Sequence, residues 1–534
     1  MLRSSSILAS ALAVCLVGPG CSEQVPADEA EDGFVIEDGK ADDFLSNKAK
    51  EYIVSGTGRV TVEAGQTEIA ARNLVPYHHS AIVWFLNQYL VDKEAEGAHA
   101  DANADYGGFS AMVKNGSTQT IRMVQRNATT WDYDFEVTIA GTKTLLRKLP
   151  LNAQGEFTLE IGTPTNAEMK RDAEWYRKAP WKEWNPSMVP ATQKEALTLK
   201  IREETKSSDG WWDYKRLLED GVLTIDVHYG YDYHSQSHLT DSKTFYNWMT
   251  DRGFRSPTSS YDTYRRTSGP LTKTLSANGR NAKVEIRLFY GRPGTDTDPA
   301  TDAGGIQLEK DMLASLKSRD VIIYAGHSGS LYGFALSDWD KTEEGDLDDS
   351  ELATAELARN RYQIVFAEGC NTYMLGNTLM NNPAKQGKDI DVITTTNFSV
   401  SYSPVEDFLA RLLEIDSQSR HRPRTMTATI ADLDLYTEGE VQQSMYGIHG
   451  VDDNPKLHPY GKLENSCSSC STNADCGGVG NTCATISSSS GKRCMAACTD
   501  DSACGEGYAC KAVASASTST IYGSYCVPAS RSCD

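Results

Sequence analysis

Ten cysteines crowd into the last stretch of a 534-residue chain: Cys467, Cys470, Cys476, Cys483, Cys494, Cys498, Cys504, Cys510, Cys526 and Cys533. A unit this short cannot bury enough apolar surface to hold itself together, so an even, dense set of thiols predicts a disulfide framework. The stretch also repeats itself. Cys470-STNAD-Cys476-Gly477 and Cys498-TDDSA-Cys504-Gly505 share their spacing at an offset of 28 residues, and each half adds two more cysteines. Spacing alone leaves the pairing open. A zinc reading of Cys467 and Cys470 is the weaker one, because the set contains no histidine. Residues 461–534 therefore read as a stapled binding or spacer module of unknown partner.

Disulfides form outside the reducing cytoplasm, and the N-terminus agrees with export. Arg3 supplies positive charge, Ile7 to Val17 is apolar, and Gly18, Pro19, Gly20 and Cys21 follow. Residues 1–21 read as a signal peptide. The stretch resembles a bacterial lipoprotein signal, which implies lipidation of Cys21 and membrane anchoring through that lipid. Gly18 stands where that motif usually has leucine, and ordinary secretion is the alternative. Residues 22–46 form a tether too charged to collapse, with nine acidic residues and one lysine between Glu23 and Asp43. The expected location is the outer membrane or cell surface as a lipoprotein, or the medium.

The chain holds 52 Lys and Arg against 73 Asp and Glu, a net charge of -21. A field of that sign repels phosphate backbones and argues against a nucleic-acid partner.

Residues 47–165 read as a strand-rich N-terminal domain, from short alternating runs such as Gly58-RVTVE and Tyr133-DFEVTIAG. His78 and His79 stand at a helix start without matched partners and read as solvated or packed side chains. A connecting segment spans 166–220. From 221 to 460 the character changes. Apolar runs at Val222, Ala282, Asp320, Tyr362 and Asp389 alternate with helical patterns at Ser242, Gln307, Glu351 and Pro404. That alternation predicts an α/β fold, a mostly parallel sheet with helices on both faces, whose ligands bind at the carboxyl ends of the strands.

With Cys15 and Cys21 in the signal and ten cysteines in the tail, Cys370 is left over. A leftover thiol in an exported chain is either reactive or a buried core side chain. Its position favours the reactive reading. Asp320-VIIYAG-His327-Ser328-Gly329 and Tyr362-QIVFAEG-Cys370 end consecutive strands. Neighbouring strands would bring an imidazole and a thiol to one sheet edge, the pairing that thiol catalysis needs, and the following helix start would favour the thiolate.

Here the chain resembles the caspase-like cysteine peptidases, a family that includes caspases, legumains, gingipains and clostripain. These place His-Gly at the end of one apolar strand and Cys after a small residue at the end of the next. Gly326-His327-Ser328-Gly329 and Glu368-Gly369-Cys370 occupy those places, and the likeness in strand order covers roughly residues 221 to 440. The resemblance implies a Cys370–His327 dyad that cleaves a protein or peptide substrate, with backbone N–H groups of Cys370 and of Ser328 or Gly329 holding the oxyanion. Ser328 departs from the pattern by separating His327 from its glycine.

Rival readings share these residues. The G-x-S-x-G-like run from Gly326 to Ser330 would make Ser328 the nucleophile of a serine hydrolase, with His421, His449 or His458 as base. A catalytically inactive binding protein could keep the same scaffold with Cys370 buried. His228, Asp232, His234 and His238 cluster loosely after one strand and suit a cleft lining better than a zinc site. Asp340, Thr342, Glu344, Asp346, Asp348 and Glu351 follow the ligand order of a calcium loop with Gly345 at its sixth position, so calcium is an expected ligand beside the plainer reading of a helix cap. The dyad chemistry itself needs no cofactor.

Overall fold

The computed structural model describes residues 44–75, 78, 82, 85, 110–112, 122–143, 145–162, 190–204, 209–231, 236–329, 333–338, 340–385, 388–396, 399, 403–415, 419–435, 437–438, 442–455, 459–460, 466–476, 481–485, 491–501, 504, 507–514, 521–530 and 532–533. The signal, Cys21 and most of the tether lie outside them.

Six strands build the first sheet: β1 (Ala49–Thr61), β2 (Ser110–Met112), β3 (Met123–Gln125), β4 (Thr130–Thr142), β5 (Glu156–Gly162) and β6 (Lys194–Glu203). Their order is β2-β4-β1-β6-β5, with β3 on β4. β1 and β4 pair antiparallel over all their residues, from Ala49↔Thr142 to Thr61↔Thr130. Alternate residues point inward, and Tyr52, Val54, Tyr133, Phe135, Leu197 and Leu199 bury one face with Ile82 and Phe85. β6 comes from the stretch read as a connection. Its Leu197-Thr198-Leu199-Lys200-Ile201 carries the period of two that a Trp- and Pro-rich neighbourhood obscured.

The second sheet has seven strands. β7 (Val222–Tyr229), β8 (Leu271–Ala277), β9 (Arg280–Tyr290), β10 (Val321–Ala325), β14 (Gln363–Glu368), β15 (Ile390–Thr395) and β18 (Tyr446–His449) lie in the order β18-β15-β14-β10-β7-β9-β8. The five central strands are parallel and the two edge strands antiparallel. Every residue of β10, β14 and β15 is buried, the mark of strands covered on both sides. Ile323 and Phe366 share one apolar cluster with Phe245, Phe408 and Ile430. Their neighbours Ile322 and Val365 share another with Met312, Leu316 and Leu375. Between β10 and β14 the chain forms a small sheet of β11 (Ser328–Gly329), β12 (Gly333–Ala335) and β13 (Asp346–Leu347). β16 (Thr437–Glu438) and β17 (Gln442–Gln443) make a hairpin.

The end of the predicted tether is ordered. Leu45 exchanges two 2.9 Å main-chain hydrogen bonds with Ile448 and so covers the β18 edge. Phe44 packs edge-on to Tyr373, 5.2 Å between ring centres. Tyr373 opens the helix Tyr373–Met380, and its hydroxyl donates at 2.5 Å to the buried carboxylate of Glu51 on β1. The first sheet thus seats on the helix that follows Cys370.

The tail is disulfide-rich, with hairpins β19 (Thr482–Thr485) to β20 (Lys492–Met495) and β21 (Tyr508–Ala514) to β22 (Ile521–Pro528). Cys470–Cys483 and Cys476–Cys494 staple the first repeat, while Cys498–Cys510 and Cys504–Cys526 staple the second in the same pattern. Cys467–Cys533 joins the two ends. The metal alternative for this set fails because all ten sulfurs are used in bonds. Among the described residues no helix is long and apolar enough to cross a membrane.

Candidate active site

β10 and β14 are parallel neighbours, with Ala325 opposite Glu368. His327 and Cys370 each stand two residues beyond those ends, so the register carries both to the same level of the same sheet edge. Two hydrogen bonds fix the approach. The Gly326 N–H donates to the Glu368 carbonyl at 3.1 Å, and the Ser328 hydroxyl donates to the Cys370 carbonyl at 2.7 Å. Gly369 has to be glycine for this contact: a Cβ there would lie 2.3 Å from Ser328 Oγ and 2.7 Å from the Gly326 carbonyl oxygen.

The turn bearing Cys370 is held from behind. Thr372 Oγ1 donates to the Ala367 carbonyl at 2.8 Å, and the Thr395 N–H donates to Thr372 Oγ1 at 2.9 Å. Thr395 Oγ1 donates in turn to the Gly369 carbonyl. Asn371 adopts φ of 54°, a left-handed conformation that asparagine tolerates better than most residues. Cys370 is half-buried and is the one described cysteine outside the five disulfides. Its Sγ lies 3.9 Å from the Ser399 carbonyl oxygen.

Sequence reasoning passed over Glu368. Its side chain is 1 % exposed, accepts hydrogen bonds from Ser399 Oγ and, at 3.1 Å, from the Tyr446 hydroxyl, and leaves Oε2 without a hydrogen-bond partner. Burial pushes its pKa up to about 8, against the opposing pull of those two hydrogen bonds. The signal was present in the letters: a carboxylate closing an otherwise apolar strand two residues before the thiol.

Several predicted residues have other work. Ser328 is 3 % exposed and sits in a hairpin strand opposite Phe334, not on a strand-to-helix turn, so the nucleophile elbow is absent. His421 is engaged by the Tyr460 hydroxyl at 2.6 Å and the Leu412 carbonyl at 2.8 Å, and His449 lies 3.2 Å from Thr394 Oγ1. His458 lies outside the described residues. His228 is a core side chain: it stacks on Phe289 at 4.5 Å, its Nε2 lies 2.9 Å from Ser315 Oγ, and burial lowers its pKa to about 3. His238 Nε2 contacts the Gly291 carbonyl at 3.2 Å. Asp232, His234 and His79 lie outside the described residues. His78 is packed, 3.0 Å from Glu195.

The calcium order does not become a preformed cradle. Asp348 caps the helix Asp349–Thr354, and Glu351 returns the contact to the Asp348 N–H at 3.0 Å in a capping box. Thr342 Oγ1 donates to the Asp338 carbonyl, and Asp346 lies in β13. No three of the Asp340, Glu344, Asp346, Asp348 and Glu351 carboxylates gather within 4.8 Å of one another. The helix cap claims the ligands expected at the ninth and twelfth loop positions.

Comparison with known proteins finds no family model that matches this chain, no curated protein similar to it and no solved structure similar to it.

Proposed function

We propose that the chain is an exported cysteine peptidase, its seven-stranded sheet arranged with helices over both faces in the manner of the caspase-like enzymes. The observation that carries this reading is the register of β10 on β14, with Gly326 bonded to Glu368 at the end of β14 and Ser328 bonded to Cys370 two residues beyond it. A thiol and an imidazole on adjacent strand ends form the minimal apparatus for acyl transfer.

In this reading the Cys370 thiolate attacks the scissile carbonyl carbon, and the oxyanion is held by the Cys370 N–H and by that of Ser328 or Gly329. Collapse breaks the C–N bond as His327 gives a proton to the leaving amine. Water, deprotonated by His327, then hydrolyses the thioester and restores the thiol. Five disulfides support an oxidising compartment. The membrane link proposed is a lipid on Cys21. Incubation with a peptide library tests the activity: cleavage that disappears in Cys370→Ala supports it, and no cleavage by wild type, or equal cleavage by both, counts against it.

A further inference from the structure

In the first sheet, β1 and β6 separate. They pair only from Tyr52↔Glu203 to Ser55↔Lys200. β1 runs on to Thr61 paired with β4 alone, while residues 194–199 of β6 pair with β5 alone. The Glu204 N–H donates to the Glu51 carbonyl at 3.0 Å, which sets the phase: odd residues of β1 and even residues of β6 turn their main-chain groups toward each other. Carried onward, the N–H and C=O groups of Thr57, Arg59 and Thr61 face those of Lys194, Ala196 and Thr198. Among the described residues the β1–β6 ladder stops at Ser55↔Lys200 and pairs none of them across the gap. Between the lips lies a cavity of about 830 Å³, lined by Thr57, Arg59, Ala196 and Thr198 with Phe135.

The gap is braced. His78, 3 % exposed, contacts the Tyr133 hydroxyl of β4 through Nδ1 and Glu195 of β6 through Nε2, tying the two halves together. On the β1 lip Gly56 and Gly58 carry no side chain. Cβ atoms there would lie 2.9 Å from the Phe135 ring and 2.8 Å from the Tyr133 ring.

We propose that this split is a binding site for an extended polypeptide segment, which enters as an added strand between β1 and β6. Two facing rows of main-chain donors and acceptors at strand period match a peptide backbone and nothing else of comparable size. Each lip offers three residues in phase, enough for a segment of about five or six residues. Its outward side chains lie beside Thr57, Thr198 and Lys200 and should be polar, while an inward one meets Phe135 and should be apolar. Arg59 is already held by Asp132 at 2.8 Å and Lys194 by Glu160 at 3.0 Å, so recognition rests on the backbone more than on charge.

The test is residue-resolved hydrogen exchange on the full mature chain, with and without the synthetic peptide Lys-Lys-Thr-Val-Thr-Val-Thr-Lys-Lys at about 1 mM. In the free protein the amides of Thr57, Arg59, Ala196 and Thr198 should exchange fast beside slow Gly58 and Leu197. The peptide should slow them about tenfold or more, and a copy N-methylated at alternate residues should not. Protection of those amides in the free protein, no slowing by the peptide, or equal slowing by the methylated copy would each overturn the proposal. None of these outcomes depends on whether Cys370 is catalytic.

Discussion

The Ser328 hydroxyl donates a 2.7 Å hydrogen bond to the carbonyl oxygen of Cys370, so the residue that interrupts the family-like His-Gly pair ties the two strand ends together. Ser328→Ala should cost about 1 kcal/mol or somewhat more, the usual cost of a buried hydrogen bond with one partner removed. It should leave Cys370 alkylation measurable and any peptide cleavage within about tenfold of wild type. Parallel urea melts and alkylation rates check both effects. Complete loss of cleavage with thiol reactivity intact would return Ser328 to the role of nucleophile.

Glu368 makes stability depend on pH. Its folded pKa of about 8 lies above the ordinary 4.5, so its favourable contribution is complete below 4.5 and is lost as pH rises toward 8, because the unfolded chain ionises first. Wild type should lose about 2 to 4 kcal/mol from this group between pH 5 and pH 8. Glu368→Gln keeps an acceptor for Ser399 and Tyr446 and removes the titration. Urea unfolding at both pH values should show the variant less pH-dependent and more stable than wild type at pH 8.

The capping box at Asp348 predicts indifference to calcium. Asp348→Ala should cost about 1 kcal/mol, the usual value of an N-cap, and by the same amount with millimolar calcium or with chelator. Thermal melts under both conditions check it. A calcium-dependent rise in the wild-type melting temperature that the variant lacks would restore the loop as a metal site.

The sheet was legible because its strands announce themselves. Ile322 and Ile364 belong to runs apolar at every position, and such runs alternating with helical patterns have few folds open to them. The neighbouring ends of His327 and Cys370 followed from consecutive strands. The tail's even, dense cysteines announced a disulfide framework, but neither the matched staples of its two repeats nor the Cys467–Cys533 closure was legible, since spacing does not fix pairing. β6 was lost in its surroundings, and Leu45 was read as tether because one apolar pair among acidic residues carries no period. Glu368, Thr372 and Thr395 matter through contacts with residues far along the chain or through burial, and neither is written in local pattern. The calcium order and the helix cap share letters, because the Asp and Glu spacing of a capping box at Asp348 and Glu351 is also that of the loop's last ligands, so sequence alone does not separate them.

The central claim, a thiol activated by a neighbouring imidazole, is tested most directly by labelling the mature oxidised protein with iodoacetamide from pH 5 to 9, wild type against His327→Ala. The account predicts modification of Cys370 that is fast well below the ordinary thiol pKa of about 8.5 and slowed about tenfold or more by His327→Ala. Labelling of Cys370 only after denaturation, or at rates that His327→Ala leaves unchanged, would contradict it.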